Sequence, residues 1–152
     1  MLKVGDTAPE FDLMTQDHTK KVKLSDYLGK KKVVLLFYPL DFSPVCTNEH
    51  CAFGPSLSDI TAGQDAVVFG VSCDSPFTHA AFKKQYNIPY DLLSDVSRDT
   101  VKAYGLFLGE VPFNCGKRGT VVIDKQGKVS FFHEQAVLEE RSIADLKKAV
   151  AA

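Results

Sequence analysis

The chain has 152 residues, of which 45% are hydrophobic and 24% are charged, and its formal net charge at pH 7 is −1. A chain of this length and composition is expected to fold as a single globular domain, residues 1–152, around one hydrophobic core. The nearly balanced charge does not favour nucleic acid or an anionic membrane surface as a partner. No apolar run is long enough to span a bilayer, so no membrane partner is expected.

The N-terminal sequence and the cysteines bear on the compartment. The opening "MLKVGDTAPEF" has no apolar segment of the kind found in secretory signal peptides. A cytoplasmic, reducing location is therefore expected, and the four cysteines would there be mostly free thiols.

The first half of the chain predicts a small β-hairpin followed by a βαβ unit. The stretch "FDLMTQDHTKKVKLSDY" is typical of two short strands and a helical turn from Ser25. The runs "VVLLFY" (33–38) and "AVVFGVSC" (66–73) are typical of buried strands. A helix is expected between them, because apolar residues recur at helical spacing: Cys46, Phe53, Leu57 and Ile60. Strand, helix and strand predict a right-handed crossover between parallel strands.

The second half predicts helices and then a ββα unit. Ser75 and Pro76 suit the start of one helix, and a second helix is expected over "SDVSRDTVKAYG" (94–105). The stretch "GTVVIDKQGKVSFFH" predicts a hairpin, and Ser142 begins a final helix. This order predicts an α/β protein of thioredoxin-like fold, with an N-terminal β-hairpin extension and a central mixed sheet flanked by helices.

The stretch "PLDFSPVCTNEHC" (39–51) places Cys46 just after the first buried strand. In open α/β sheets, sites form beyond the carboxyl ends of the strands. At the start of a helix, free backbone N–H groups stabilise a thiolate. Ser43 can direct its hydroxyl at the sulfur or at a substrate, Pro39 shields the approach, and Glu49 suits the helix dipole. A single cysteine in such a place is more often a small buried hydrophobe, so position alone leaves both interpretations open.

Pro39, Ser43 and Cys46 match the pattern P-x-x-x-(T/S)-x-x-C, and at these residues the chain resembles the peroxiredoxins. The resemblance continues at Glu49 and extends over nearly the whole chain, through "VGDTAPEFDL", "GVSCDSP", "LLSD", "AYG" and "KRGTVVID". In the last of these the family places a key arginine, here Arg118. By its sequence position alone, Arg118 would be a surface residue in a loop before a strand.

The resemblance implies a thiol-dependent peroxidase that needs no metal and no organic cofactor. Cys46 would reduce hydrogen peroxide or an alkyl hydroperoxide and become a sulfenic acid. Arg118 would stabilise the thiolate and hydrogen-bond to the peroxide. An external thiol, either thioredoxin-like or of another kind, would complete the cycle.

Two groups within the family resolve the oxidised cysteine differently. The chain length and the C-x4-C spacing resemble the bacterioferritin-comigratory or PrxQ group, in which Cys51 would form a disulfide with Cys46. The stretches "MLKVGDTAPEF" and "KRGTVVIDKQG" also resemble the one-cysteine AhpE group, in which an external thiol reduces the sulfenate directly. Cys73 is expected in the core and Cys115 in a loop. The sequence does not decide between these two mechanisms. It is also compatible with either a monomer or a homodimer.

Two rival functions come from other classes. The chain could be a non-catalytic thioredoxin-fold module, a redox sensor or chaperone, in which Cys46 only responds to oxidation. It could also bind a metal through His50, His133 and the cysteines. The sequence has no C-x2-C or H-x3-H pair, so a zinc site is not predicted. The lack of C-x-x-C also argues against a thioredoxin-type reductase.

Overall fold

A computed structural model describes residues 2–152. It contains nine strands: β1 (Asp12–Thr15), β2 (Lys21–Lys23), β3 (Lys32–Phe37), β4 (Ala66–Ser72), β5 (Asp91–Ser94), β6 (Phe107–Gly109), β7 (Cys115–Gly116), β8 (Arg118–Ile123) and β9 (Val129–Gln135). Its α-helices are α1 (Pro44–Thr61), α2 (Pro76–Tyr86), α3 (Asp99–Ala103) and α4 (Ile143–Ala151). A single 3-10 turn covers Leu24–Asp26. None of the helices within the described range is both long and apolar enough to cross a membrane.

Seven of the strands form one mixed sheet in the order β2-β1-β5-β4-β3-β8-β9. Strands β3, β4 and β5 are parallel, whereas β8 runs antiparallel to β3 and β9 antiparallel to β8. The predicted unit β3-α1-β4 is therefore confirmed, and so are the mixed sheet and the hairpin formed by β8 and β9.

The central strand β3 divides two hydrophobic cores. Val33, Leu35 and Phe37 point into one core, on the side that also holds the N-terminal hairpin. Val34 and Leu36 point into the other core, which contains Cys46 and the buried face of α1. This alternation follows from the two-residue period of a strand. It places the cysteine against the sheet rather than in solvent.

The N-terminal hairpin of β1 and β2 is confirmed, and it extends the main sheet at one edge. Strand β1 pairs antiparallel with β5, so the hairpin completes the edge of the main sheet. Strand β5 itself was not predicted, because its four residues are too few to show a period.

The prediction of one helix over 94–105 is wrong in its first half. Ser94 ends β5 and pairs with Ser72. Arg98 has a left-handed backbone with φ of 68°, so the helix begins only at Asp99. The carboxylate of Asp95 accepts hydrogen bonds from the backbone N–H groups of Thr100 and Val101. That side chain satisfies two of the free donors in the first turn of α3 and so fixes the start of this five-residue helix.

Two predicted helix starts are confirmed at the level of single hydrogen bonds. The Ser75 hydroxyl accepts from the backbone N–H of Thr78 at the start of α2. The Ser142 hydroxyl accepts from the N–H of Asp145 at the start of α4. Both bonds satisfy N–H groups that have no partner inside the helix.

Candidate active site

The loop after β3 delivers Cys46 to the start of α1. Pro39 is buried at the end of the strand, α1 begins at Pro44, and Cys46 is the third residue of the helix, with 0% of its surface exposed. Ser43 is the residue that caps the helix, but its hydroxyl donates to the carbonyl of Leu40 at 2.9 Å. The Ser43 oxygen keeps its lone pairs free, so it can accept a hydrogen bond from a bound molecule.

Arg118 is the first residue of β8, and the strand register brings it to the site. Gly119 pairs with Phe37, so the preceding residue lies beside the start of α1. The Arg118 Nη2 donates to Cys46 Sγ at 3.0 Å, and its Nη1 donates to Glu49 Oε1 at 2.7 Å. Its Nε donates to the Val137 carbonyl at 3.0 Å. Arg118 is 1% exposed and is not the surface residue that its sequence position alone suggests.

A second buried arginine, Arg141, completes this cluster, and the sequence analysis did not single it out. Its backbone N–H donates to Glu49 Oε2 at 2.8 Å, and its Nη1 donates to Glu49 Oε1. Its Nε donates to Thr120 Oγ1 at 2.8 Å, and its Nη2 donates to the carbonyls of Gly119 and Phe37. The only signal in the sequence is that arginine is rare, with three in the chain.

The charges of this cluster do not cancel beside Cys46 Sγ. Two guanidinium groups share one carboxylate, that of Glu49, so the cluster carries a net charge of about +1 next to the sulfur. Burial lowers the pKa of Arg141; Glu49 opposes that shift and Arg118 reinforces it. Both arginines nevertheless stay charged, because a guanidinium does not lose its proton in proteins.

The Glu49→Gln variant is expected to lose about 3 kcal/mol of its free energy of unfolding. Glu49 is 1% exposed, and the change leaves two buried arginines without a countercharge. Urea denaturation followed by circular dichroism measures the loss. Asp59→Asn is a matched control on the same helix, since it removes only the exposed pair with Lys147 and should cost less than about 1 kcal/mol. Equal losses in the two variants would show that the buried cluster does not stabilise the fold.

A buried network supports the loop between β3 and α1 from the other side. The Tyr38 hydroxyl donates to Asp41 Oδ1 at 2.5 Å, and Asp41 Oδ2 lies 2.6 Å from His79 Nδ1. His79 Nε2 donates to the carbonyl of Leu93 at 3.0 Å, while the backbone N–H of Asp41 donates to Asp74. Burial raises the pKa of Tyr38 well above its usual value, with Asp41 adding to the shift. The network fixes the chain just before Ser43.

The other cysteines differ in exposure. Cys51 lies on α1, five residues after Cys46, and is exposed; no cysteine among the described residues is in a disulfide. Cys115 is buried in β7, where burial raises its pKa. Cys73 is half-buried just after β4, and burial, helped by Asp95, raises its pKa to about 11. His50 and His133 are not brought together: the first is buried in α1 and the second is exposed on β9.

Cys73 is expected to react slowly with an alkylating reagent near neutral pH. Near neutral pH, the thiolate fraction of a thiol with a pKa of about 11 is roughly a hundredfold smaller than that of an unperturbed thiol. The time course of iodoacetamide labelling, followed by peptide mass spectrometry, measures the difference. Exposed Cys51 serves as the internal control, and labelling of both cysteines at one rate would contradict the expectation.

Comparison with known proteins identifies the family of the chain. The model of the AhpC/TSA family matches residues 4–132. Peroxiredoxin Bcp of Bacillus subtilis is 40% identical over 134 residues, which are 84% of this chain and 82% of that protein. The chloroplastic Peroxiredoxin Q of Gentiana triflora is 37% identical over 147 residues, 95% of this chain and 64% of that protein.

Solved structures give the same result. Peroxidoxin BcpB from Mycobacterium tuberculosis superposes with a TM-score of 0.83 at 32% identity, covering 99% of this chain and 96% of that one. The reduced 2-Cys peroxiredoxin of Plasmodium vivax superposes with a TM-score of 0.88 at 33% identity, covering 98% of this chain and 80% of that one. The fold and the site thus define a thioredoxin-like protein with a buried cysteine beside an arginine. The chain belongs to the AhpC/TSA family, the peroxiredoxins, and is a thiol-dependent peroxidase with peroxides as substrates and thiols as reductants.

Proposed function

We propose that Cys46 is the peroxidatic cysteine and that Arg118 and the start of α1 activate it. The observation that carries this proposal is the hydrogen bond of 3.0 Å from Arg118 Nη2 to Cys46 Sγ, inside a buried cluster of net positive charge. The same guanidinium can hydrogen-bond to a peroxide oxygen that approaches the sulfur. Pro39 positions the loop before α1, and Ser43 offers a hydrogen-bond acceptor. Glu49 holds Arg118 in place.

In the first step the Cys46 thiolate attacks one oxygen of the peroxide. The S–O bond forms as the O–O bond breaks, so the sulfur is oxidised to a sulfenic acid and the peroxide is reduced. The other oxygen leaves with the bonding electron pair and takes up a proton, giving water or an alcohol. Arg118 stabilises the negative charge that develops on this oxygen, a form of electrostatic catalysis. Since Cys46 is 0% exposed, small hydroperoxides should reach it most easily.

In the second step the Cys51 thiol condenses with the Cys46 sulfenic acid, forming a disulfide and releasing water. Residues five apart in a helix have Cα atoms roughly 8–9 Å apart, whereas a disulfide needs about 7 Å or less. The start of α1 must therefore unwind. Pro55 lies inside α1 and cannot donate to the Cys51 carbonyl, so this turn is weakly held from its C-terminal side. A thioredoxin-like donor then reduces the exposed disulfide.

Peptide mapping of the oxidised enzyme and of Cys51→Ser tests the second step. The wild type should yield a peptide linking Cys46 and Cys51, and Cys51→Ser should accumulate the sulfenic acid and lose turnover with thioredoxin. The alternative is a one-cysteine enzyme, in which an external thiol reduces the sulfenate directly. That mechanism is correct if no linked peptide appears and Cys51→Ser turns over normally.

The setting that fits this chemistry is a reducing one, and we propose the cytoplasm. A reducing compartment keeps the exposed Cys51 thiol free between cycles. The cycle needs only residues of one chain, so a monomer suffices and a homodimer is compatible with it. The rival interpretation as a non-catalytic sensor or chaperone has no observation in its favour.

A further inference from the structure

His50 lies between the two cysteines of α1 and is buried among aromatic side chains. It follows Cys46 by four residues, so both side chains lie on the same face of α1, and it immediately precedes Cys51. Its ring is 1% exposed and packs among three aromatic rings, with centroid distances of 4.3 Å to Tyr38, 5.5 Å to Phe82 and 5.7 Å to Tyr90.

The hydrogen bonds of His50 suit a neutral ring. Its Nδ1 is paired with the Tyr90 hydroxyl. Its Nε2 is buried and has no hydrogen-bond partner among the described residues. A protonated ring would carry a donor at both nitrogens, and the proton on Nε2 would have no acceptor. A buried charged donor without a partner is strongly unfavourable.

The charges around His50 also oppose its protonation. Burial lowers the pKa of His50 well below its usual value, and Arg141, Arg118 and His79 add to the shift. The Glu49 carboxylate is already bonded to both arginines and offers no free charge. The titratable and charged groups on the elements packed around His50 are Tyr38 just after β3, Asp41 in the loop that follows, His79 from α2, Tyr90 from the segment before β5, Arg118 from β8, Arg141 from the segment before α4, and Cys46, Glu49 and Cys51 from α1 itself.

We propose that His50 is a positioning residue that locks the segment from Cys46 to Cys51 in the helix while its ring is neutral, and that unwinding of the segment takes up a proton at His50. The importance of this coupling for the reaction rests on the proposed function, because only a Cys46–Cys51 disulfide requires the segment to unwind. When the segment unwinds, His50 leaves the aromatic cluster and becomes an exposed histidine.

The size of the effect follows from linkage. An exposed histidine has a pKa of about 6.5, so it gains a proton over the pH range in which the buried ring stays neutral. The sign is therefore fixed: acid favours the unwound form. The equilibrium constant for unwinding should rise about tenfold from about pH 7.5 to about pH 5.5. Disulfide formation depends on pH through its own thiol chemistry as well, so its rate alone does not measure this equilibrium.

Amide hydrogen exchange of the reduced protein directly measures the equilibrium between the helical and the unwound segment. Peptides covering 46–54, corrected for the intrinsic exchange rate at each pH, should show the tenfold rise in opening in the wild type. In His50→Gln, with Cys46→Ser introduced into both proteins so that no thiolate contributes, the opening should be almost independent of pH over the same range. If the glutamine variant does not fold, His50→Leu is a second variant in which an uncharged side chain replaces the histidine ring. Peptides from β3 report global unfolding and serve as the internal reference.

Two further variants act as controls. His133→Gln removes an exposed histidine on β9 and should retain the tenfold rise. Tyr90→Phe removes the hydroxyl that pairs with His50 Nδ1, so opening should increase at every pH while its dependence on pH remains. A wild type with no pH dependence, or the same dependence in His50→Gln, would overturn the proposal. The tenfold rise without a linked Cys46–Cys51 peptide would support the role of His50 and show that Cys51 is not the resolving cysteine.

Discussion

The Cys46→Ser variant is expected to fold and to lose peroxide turnover completely. A serine hydroxyl accepts the hydrogen bond from Arg118 in place of the sulfur, so the buried cluster keeps its contacts. The hydroxyl is not ionised near neutral pH and forms no sulfenic acid, so the first chemical step is lost. Peroxide consumption coupled to a thiol reductant measures turnover, and circular dichroism reports the fold.

Cys73→Ser is the matched control for this variant. Cys73 is half-buried after β4 and has a pKa raised to about 11 by burial, so it should contribute nothing to the first step. Its activity should equal that of the wild type. A folded Cys46→Ser protein with near wild-type activity would refute the role of Cys46.

The Arg118→Ala variant should react with peroxide about a hundredfold more slowly. Two contributions are lost together: the stabilisation of the thiolate and the hydrogen bond to the leaving oxygen, which together are worth about 3 kcal/mol. The variant should still fold, because Arg141 continues to neutralise Glu49. Stopped-flow measurement of Cys46 oxidation gives the rate.

Two further variants test whether the effect depends on the guanidinium geometry and on this particular arginine. Arg118→Lys keeps the charge but not the forked donor geometry, so its rate should fall between those of the alanine variant and the wild type. Arg98→Ala removes a half-buried arginine whose bonds go to the carbonyls of Asn114 and Val96, and it should leave the rate unchanged. A rate for Arg118→Ala within about threefold of the wild type, less than 1 kcal/mol, would refute the assigned role.

The parts of the fold that local patterns determine could be predicted from the sequence. The continuous apolar runs predicted β3 and β4, and the serines at positions 75 and 142 predicted the starts of α2 and α4. Strand β5 was not predicted and the start of α3 was placed too early, because the strand depends on pairing with β4 and the helix start depends on the Asp95 side chain. Neither interaction is visible in a short window of sequence.

The candidate site likewise contains residues that a local motif predicts and residues that only the folded structure brings together. Cys46, Ser43 and Pro39 lie within eight residues and form a local motif, and Glu49 follows in the same helix. Arg118 was found only through the family resemblance, and Arg141 was missed, because it meets Glu49 across a sequence separation of 92 residues. The buried environment of His50 depends likewise on Tyr90, a residue 40 positions away. Contacts of this kind follow from the topology of the sheet and not from spacing along the chain.

The most direct measurement is mass spectrometry of the wild-type protein after one equivalent of hydrogen peroxide, without reductant. Intact mass distinguishes the gain of one oxygen, a sulfenic acid, from the loss of two hydrogens, a disulfide, and peptide mapping locates the change. Oxidation is expected at Cys46 alone or as a bond between Cys46 and Cys51, with Cys73 and Cys115 still reduced. Peroxide consumption with Cys46 still reduced, or with the oxygen found on Cys73 or Cys115, would contradict the assignment of Cys46 as the peroxidatic residue.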